Sequence, residues 1–126
     1  MEVRTVKELE RKGGKYGFLL RSEQADRAIE RFLAITGHPT RRAILELLAY
    51  VKKESARFPY GLSTSDIAQQ LPLSLSATSE HMRVLSKERL VRSHKKGSSV
   101  YYSLADDPRL QAFWHLLHVL ELNKHL

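Results

Sequence analysis

Residues 73–90 read L-S-L-S-A-T-S-E-H-M-R-V-L-S-K-E-R-L, and the fold turns on how this stretch is read. Its apolar residues have the period of one helix. Ser74 is placed to cap it, with its hydroxyl accepting from a backbone N–H two or three residues on. Ala77 or Thr78, Met82 and Leu85 recur at spacings of three and four and form a stripe for burial. Leu75, Ser76, Ser79, Glu80 and Arg83 fall on other faces. Short hydroxyls, a carboxylate, His81 and Arg83 near one helix end make a poor core and suit the reading of base edges in a major groove. A solvated amphipathic helix satisfies the same stretch taken alone, so its neighbours decide.

Upstream, Ser63-x-x-Asp66 has the form of a capping box, with Asp in place of the usual Glu or Gln. It opens a short helix through Ile67, Ala68 and Leu71, which Pro72 breaks. A short helix, a tight turn containing proline and a second helix with an exposed polar face make a helix-turn-helix. Leu62 reads as a strand of one or two residues. Lys52 to Tyr60 reads as a loop, punctuated by Pro59 and Gly61. Downstream the period changes to two: Val91–Lys95 and Val100–Leu104 alternate, with Val100, Tyr102 and Leu104 on one face. Lys96-Gly97-Ser98 is the turn of a β-hairpin that carries Arg92, His94, Lys95 and Lys96 on its outside and tip.

The charge follows the same centre. The chain has 126 residues, 21 Lys/Arg against 14 Asp/Glu, and a net charge of +7. Residues 81–104 hold Arg83, Lys87, Arg89, Arg92, Lys95 and Lys96 against Glu88 alone, so +5 of the excess lies in this segment. A charge so concentrated is the footprint of a polyanion. Lysines on an edge strand also guard against aggregation, which accounts for part of it. Cations shared between helix and hairpin nonetheless favour phosphate contact.

The remaining elements supply a core. Ser22 can cap a helix to about Thr36, with Ala25, Ala28, Ile29, Phe32 and either Ile35 or Leu33 as its stripe. Gly37 is a plausible stop, and His38-Pro39 restarts the chain, since proline's missing N–H is harmless at a first helical position. Ala43, Ile44, Leu47, Leu48 and Val51 mark the buried face of the next helix. Asp107 is a fitting N-cap and Pro108 a fitting first residue for the last helix. That helix carries Leu110, Phe113, Trp114, Leu116, Leu117, Val119, Leu120 and Leu122, more apolar surface than one face of a small domain needs, which points to a partner chain. At the other end, Val6–Arg11 can form a short helix. The R-K-G-G-K-Y-G run after it is not a phosphate loop, because it lacks the Gly-Lys-Ser/Thr close. It reads as a flexible arm or packing segment. The expected division is an extension over 1–21 and one domain over 22–126.

Other classes are set aside on composition. No run of about 18 apolar residues is present, which rules out a transmembrane helix. The first residues lack an apolar signal core and are too acidic for a transit peptide. The absence of cysteine removes disulfides, thiolate metal sites and thiol redox switches. A cytoplasmic protein fits. Asp66, Glu80 and Glu88 form no paired-carboxylate constellation, and no nucleophile with a base is visible, so an enzyme is not expected.

The strings A-I-T-G-H-P-T-R-R-A-I-L-E-L-L, L-S-T-S-D-I-A-Q-Q-L, L-S-L-S-A-T-S-E-H-M-R-V-L and L-V-R-S-H-K-K-G-S-S-V-Y-Y-S-L together resemble the ArsR/SmtB-type winged helix-turn-helix regulators, over about residues 25–122. The pattern departs at Lys52–Tyr60, where the family's connection is shorter. The resemblance implies a mostly α fold with a small β-hairpin: helices α1–α4, a wing hairpin and a C-terminal dimerisation helix. It implies a homodimer on a palindromic operator in double-stranded DNA, acting as a repressor. Carried over by position, Ser74, Ser76, Ala77, Ser79, Glu80, His81 and Arg83 lie at or near the groove, and Lys95 and Lys96, with Arg92 of the same hairpin, on the wing. Ile29, Phe32, Phe113, Trp114, Leu117 and Leu120 are the expected dimer face.

The family's metal positions fall on other residue types. Ser63 and Ser65 stand where one site has cysteines, and neutral hydroxyls do not replace thiolates. In the last helix, Pro108, Val119 and Leu122 stand at positions of the other site. A displaced run, His115-x-x-His118-x-x-Glu121, shares one helix face and has ligand chemistry suited to zinc, although polar positions on a dimer helix explain it as well. The expectation is therefore no metal and no cofactor, and the sequence names no effector. Two other readings use the same features: a non-specific architectural DNA-binding protein, and a winged-helix protein-interaction module.

Overall fold

A computed structural model describes residues 5–7 and 21–122. Of the short helix expected over 6–11, Val6 and Lys7 are helical, while residues 8–20, including the glycine-rich run, lie outside the described residues. The chain divides into two compact units, residues 1–34 and 35–126, with the boundary inside the first long helix.

That helix, α1, spans Glu23–Thr36. Ser22 caps it, its hydroxyl accepting from the Ala25 N–H at 3.1 Å. Glu23 and Asp26 lie in the first turn, where carboxylates complement the helix dipole. Of the two alternatives for the end of its stripe, Ile35 is buried and Leu33 is exposed.

The second unit holds the helix-turn-helix. α2 spans Pro39–Lys52, with proline at its first position and His38 as N-cap. The His38 Nδ1 accepts from the Thr40 N–H at 3.2 Å. Arg42 reaches back to donate to the Thr36 carbonyl at 2.7 Å, closing the corner. Gly37 is not among the glycines with positive φ, so the corner is made by the His-Pro restart and not by a left-handed glycine. The buried face of α2 is Ile44, Leu45, Leu48 and Val51. Leu45 replaces the expected Leu47, which is half-buried, because the stripe runs broader than one row of threes and fours.

β1 (Leu62–Ser63) leads directly into α3 (Thr64–Gln70). The capping box is fully formed: Ser63 Oγ accepts from the Asp66 N–H and Asp66 Oδ2 from the Ser63 N–H, each at 3.1 Å. After the Pro72 turn, α4 spans Leu75–Lys87 and buries Thr78, Met82 and Leu85. Thr78 settles the choice left open beside Ala77. Its hydroxyl is buried without cost because it donates to the Ser74 carbonyl at 2.8 Å.

α4 ends in a Schellman motif. The Leu90 N–H bonds the Leu85 carbonyl and the Arg89 N–H the Ser86 carbonyl, each at 3.0 Å. Arg89 takes the left-handed conformation that glycine usually supplies there, at φ 61°. Leu85 and Leu90, both fully buried, provide the apolar contact that accompanies such an end.

β2 (Val91–Lys96) and β3 (Ser99–Leu104) form the hairpin, from Val91 opposite Leu104 to Lys96 opposite Ser99. The sheet has a third strand. β1 pairs antiparallel with β3, in the order β1-β3-β2. α5 spans Pro108–Leu122. Asp107 caps it, its Oδ1 accepting from the Arg109 N–H at 2.8 Å. The core joins these elements through Ile44, Leu48, Ile67, Met82, Leu85, Leu90 and Leu110, each no more than 1% exposed. Each contributes roughly 1.5–3 kcal/mol by burial.

Candidate nucleic-acid interface

The exposed side of α4 begins at its cap. Ser74 Oγ accepts from the Ala77 N–H at 3.1 Å, so this hydroxyl is committed to starting the helix. Ser76, Ser79, Glu80 and Arg83 are exposed, and Ala77 is half-buried beneath them. Leu75, which sequence reasoning did not place in the site, is 57% exposed beside the serines.

Glu80 and Arg83 are joined as a fork. Arg83 Nη2 lies 2.6 Å from Glu80 Oε1, and Nε lies 3.1 Å from Oε2. This hydrogen bond and the guanidinium charge hold the Glu80 carboxyl below its ordinary range and push Arg83 up. The Glu80 carboxylate is thus paired within the helix, and Arg83 must exchange a partner to meet phosphate or base.

His81 turns away from this face. It is half-buried, and its ring meets His38 of the α2 corner edge-on, with centroids 4.9 Å apart. Desolvation, then the charges of His38 and Arg41, hold it below its ordinary pKa, while Glu80 opposes them. Expected at or near the groove, His81 packs between α2 and α4 against His38. The helical period accounts for this, since His81 lies next to the buried row of Thr78, Met82 and Leu85.

On the wing, every residue from Arg92 to Lys96 is exposed. Strand alternation sends Arg92, His94 and Lys96 to one face and Lys95 to the other. Tyr60, from the loop before β1, stacks on His94 with centroids 4.4 Å apart and planes 2° from parallel. The Lys96 ammonium lies 4.9 Å from the centre of the same ring. Sequence reading missed Tyr60 because nothing local ties it to a strand more than thirty residues on; only the β1–β3 pairing brings it there.

A second unforeseen group is Arg109. It donates to Glu88 Oε1 and the Glu88 carbonyl, each at 2.9 Å, and to both oxygens of Asp107. It ties the end of α4 to the start of α5. Its hydrogen bond holds the Asp107 carboxyl low, and Asp107 in turn raises Arg109.

Of the expected dimer residues, Phe113 is 6% exposed and belongs to the core, because it follows the buried Leu110 by three residues on the inner face of α5. Trp114 and Leu117 are half-buried and Leu120 is exposed. Leu116 and Leu122 are exposed beside Leu120, at 48% and 68%. On α1, Ile29 is exposed and Phe32 half-buried. His115, His118 and Glu121 are exposed on α5, and among the described residues no group of three or more His, Cys, Asp or Glu is placed to hold a metal ion.

Residues 36–94, from the end of α1 to the middle of β2, match a family model described as a helix-turn-helix domain. The transcriptional repressor SmtB homolog of Synechocystis sp. is 35% identical over 85 residues, covering 68% of this chain and 57% of that protein. Together these matches support an ArsR/SmtB-type winged helix-turn-helix regulator. The transcriptional repressor SdpR of Bacillus subtilis is 33% identical over 66 residues, 52% of this chain and 63% of that protein. The chain thus spans somewhat over half the length of these two curated relatives. A homodimeric winged helix-turn-helix DNA-binding domain from Mycobacterium bovis superimposes with a TM-score of 0.57 at 22% identity, over 84% of this chain and 94% of that one. Both curated relatives are transcriptional repressors. None of its described helices is long and apolar enough to cross a membrane.

Proposed function

We propose that this chain is a homodimeric repressor that reads a near-palindromic operator with α4 and holds the flanking phosphates with its wing. The observation that carries the reading is the juxtaposition of two exposed surfaces. The capped start of α4 presents Ser76, Ser79 and the Glu80–Arg83 fork, and β2 beyond it presents Arg92, Lys95 and Lys96. Small hydroxyls beside an arginine suit base edges, and the wing cations suit phosphate. Repression and dimerisation are supported by the relatives, two of which are repressors and one a homodimer. A two-fold dimer sets two reading helices about one DNA turn, roughly 34–36 Å, apart.

The signal in this reading is not a metal at the family's usual positions. Ser63 has a hydroxyl committed to the α3 capping box, and Pro108, Val119 and Leu122 carry no ligand atom.

The experiment is selection of bound duplexes from a random pool, followed by anisotropy titration of the recovered sequence. A near-palindrome is expected, with affinity falling steeply as salt rises. Lys95→Ala should weaken binding to all duplexes and lower the salt slope by about one. Arg83→Ala should cost about 1–3 kcal/mol and relax preference within each half-site. Added zinc should leave both affinities unchanged. Equal affinity for random duplexes would replace the repressor reading with an architectural one.

A further inference from the structure

Between the end of α2, the 52–60 loop and the base of the wing lies a cleft of about 550 Å³. Small-molecule sites span roughly 300–1,000 Å³. Its floor is apolar: Leu48, Val51 and Leu104 are buried, and Phe58 is half-buried beside them. Its rim carries Lys52, Arg92 and Asp106, all exposed. Two cations against one carboxylate leave a single positive charge in excess. Among the described residues, neither Lys52 nor Arg92 is paired with a carboxylate within salt-bridge distance.

Two carbonyls of the last α2 turn, those of Tyr50 and Val51, accept from the N–H groups of Lys53 and Glu54 at 3.2 and 2.9 Å, and the rim cations lie beside this helix end. An apolar floor under a rim of net charge +1 complements one ligand class, a small apolar molecule ending in a single carboxylate. A neutral analogue would leave the Arg92 charge unanswered, and a cation would meet two like charges.

Arg92 also belongs to the wing. It shares a strand face with His94 and Lys96, so a carboxylate that holds its guanidinium over the cleft removes it from the phosphate-facing set. We propose that this cleft binds a small apolar monocarboxylate, and that its occupation lowers DNA affinity by engaging Arg92. The coupling rests on the DNA-binding reading above; the site itself does not.

The test uses the whole chain with 2-naphthoate as probe, followed by calorimetry and by anisotropy on the selected duplex. Saturable binding is expected, one ligand per chain, at least about tenfold tighter than 2-naphthalenemethanol, with no binding of 2-naphthylmethylammonium; tenfold corresponds to one hydrogen-bonded charge of about 1.4 kcal/mol. Lys52→Gln should weaken naphthoate several-fold, and Ser55→Trp, which fills the cleft from the loop, should abolish it. Both variants should melt and bind DNA as the parent does. Saturating naphthoate should weaken DNA binding at least about fivefold, and DNA should weaken naphthoate by the same factor, as linkage requires. Absence of saturable binding, equal binding of the alcohol, or indifference to Ser55→Trp overturns the site. Naphthoate binding that leaves DNA affinity unchanged overturns the coupling. A chain that binds naphthoate but no duplex refutes the DNA reading and leaves the site standing.

Discussion

At Gly61 one missing side chain lets two distant segments meet. Its φ is +86°, and a Cβ built there would lie 1.9 Å from the Tyr102 carbonyl oxygen and 2.6 Å from its carbon. The close approach is that of β1 to β3, where Leu62 faces Tyr102. Alanine would meet both penalties together. A left-handed backbone costs roughly 1–2 kcal/mol, and forcing backbone apart at a packed contact costs about 1–3 kcal/mol more. Gly61→Ala should therefore destabilise the fold by about 3 kcal/mol, lowering the melting temperature by roughly 10 °C or more in calorimetry. A loss below about 1 kcal/mol would show that the turn relaxes without separating the strands. Gly97, also at positive φ, has open space around its missing Cβ, so only the backbone argument applies at the hairpin tip.

Among the elements, the seam between α2 and α4 is where sequence reasoning reached its limit. The capping box, the His-Pro restart, the α4 cap and the hairpin were legible because each is made by residues within a few positions of one another. The pairing of β1 with β3, Tyr60 on the wing, the Arg109 clamp and the His38–His81 contact join residues far apart in sequence, and no local period encodes them. His81 shows what this changes. Its position in the sequence places it at or near the groove. Packed against His38 with Arg41 nearby, it is held in its neutral form, its pKa below the ordinary 6.5. The unfolded chain then binds the proton more readily than the folded one, so stability is complete above about pH 6.5 and declines as pH falls through the lowered folded value. Chemical denaturation of the parent and of His81→Gln at pH 7.5 and pH 5.5 checks this. The parent should lose more stability between the two than the variant does, and equal losses would place the acid sensitivity elsewhere.

For the whole molecule the question is what α5 is for once Leu110 and Phe113 have been committed to the core. Its outer surface still carries Leu116, Leu120 and Leu122, exposed at 48%, 57% and 68%. A monomer gains nothing from such a surface, whereas a two-fold partner of the kind proposed above would bury it against its own copy and fix the spacing of two reading helices. Leu120→Glu separates these roles, because Leu120 makes no part of the chain's own core. Sedimentation should show the parent at twice the 14.5 kDa chain mass and the variant at the chain mass. The variant's helix content should match the parent's. Its affinity for the full palindrome should fall to that for a half-site, since one wing and one α4 then act alone. A variant that remained dimeric would move the interface off α5, and the operator spacing would then have to be derived from a different two-fold axis.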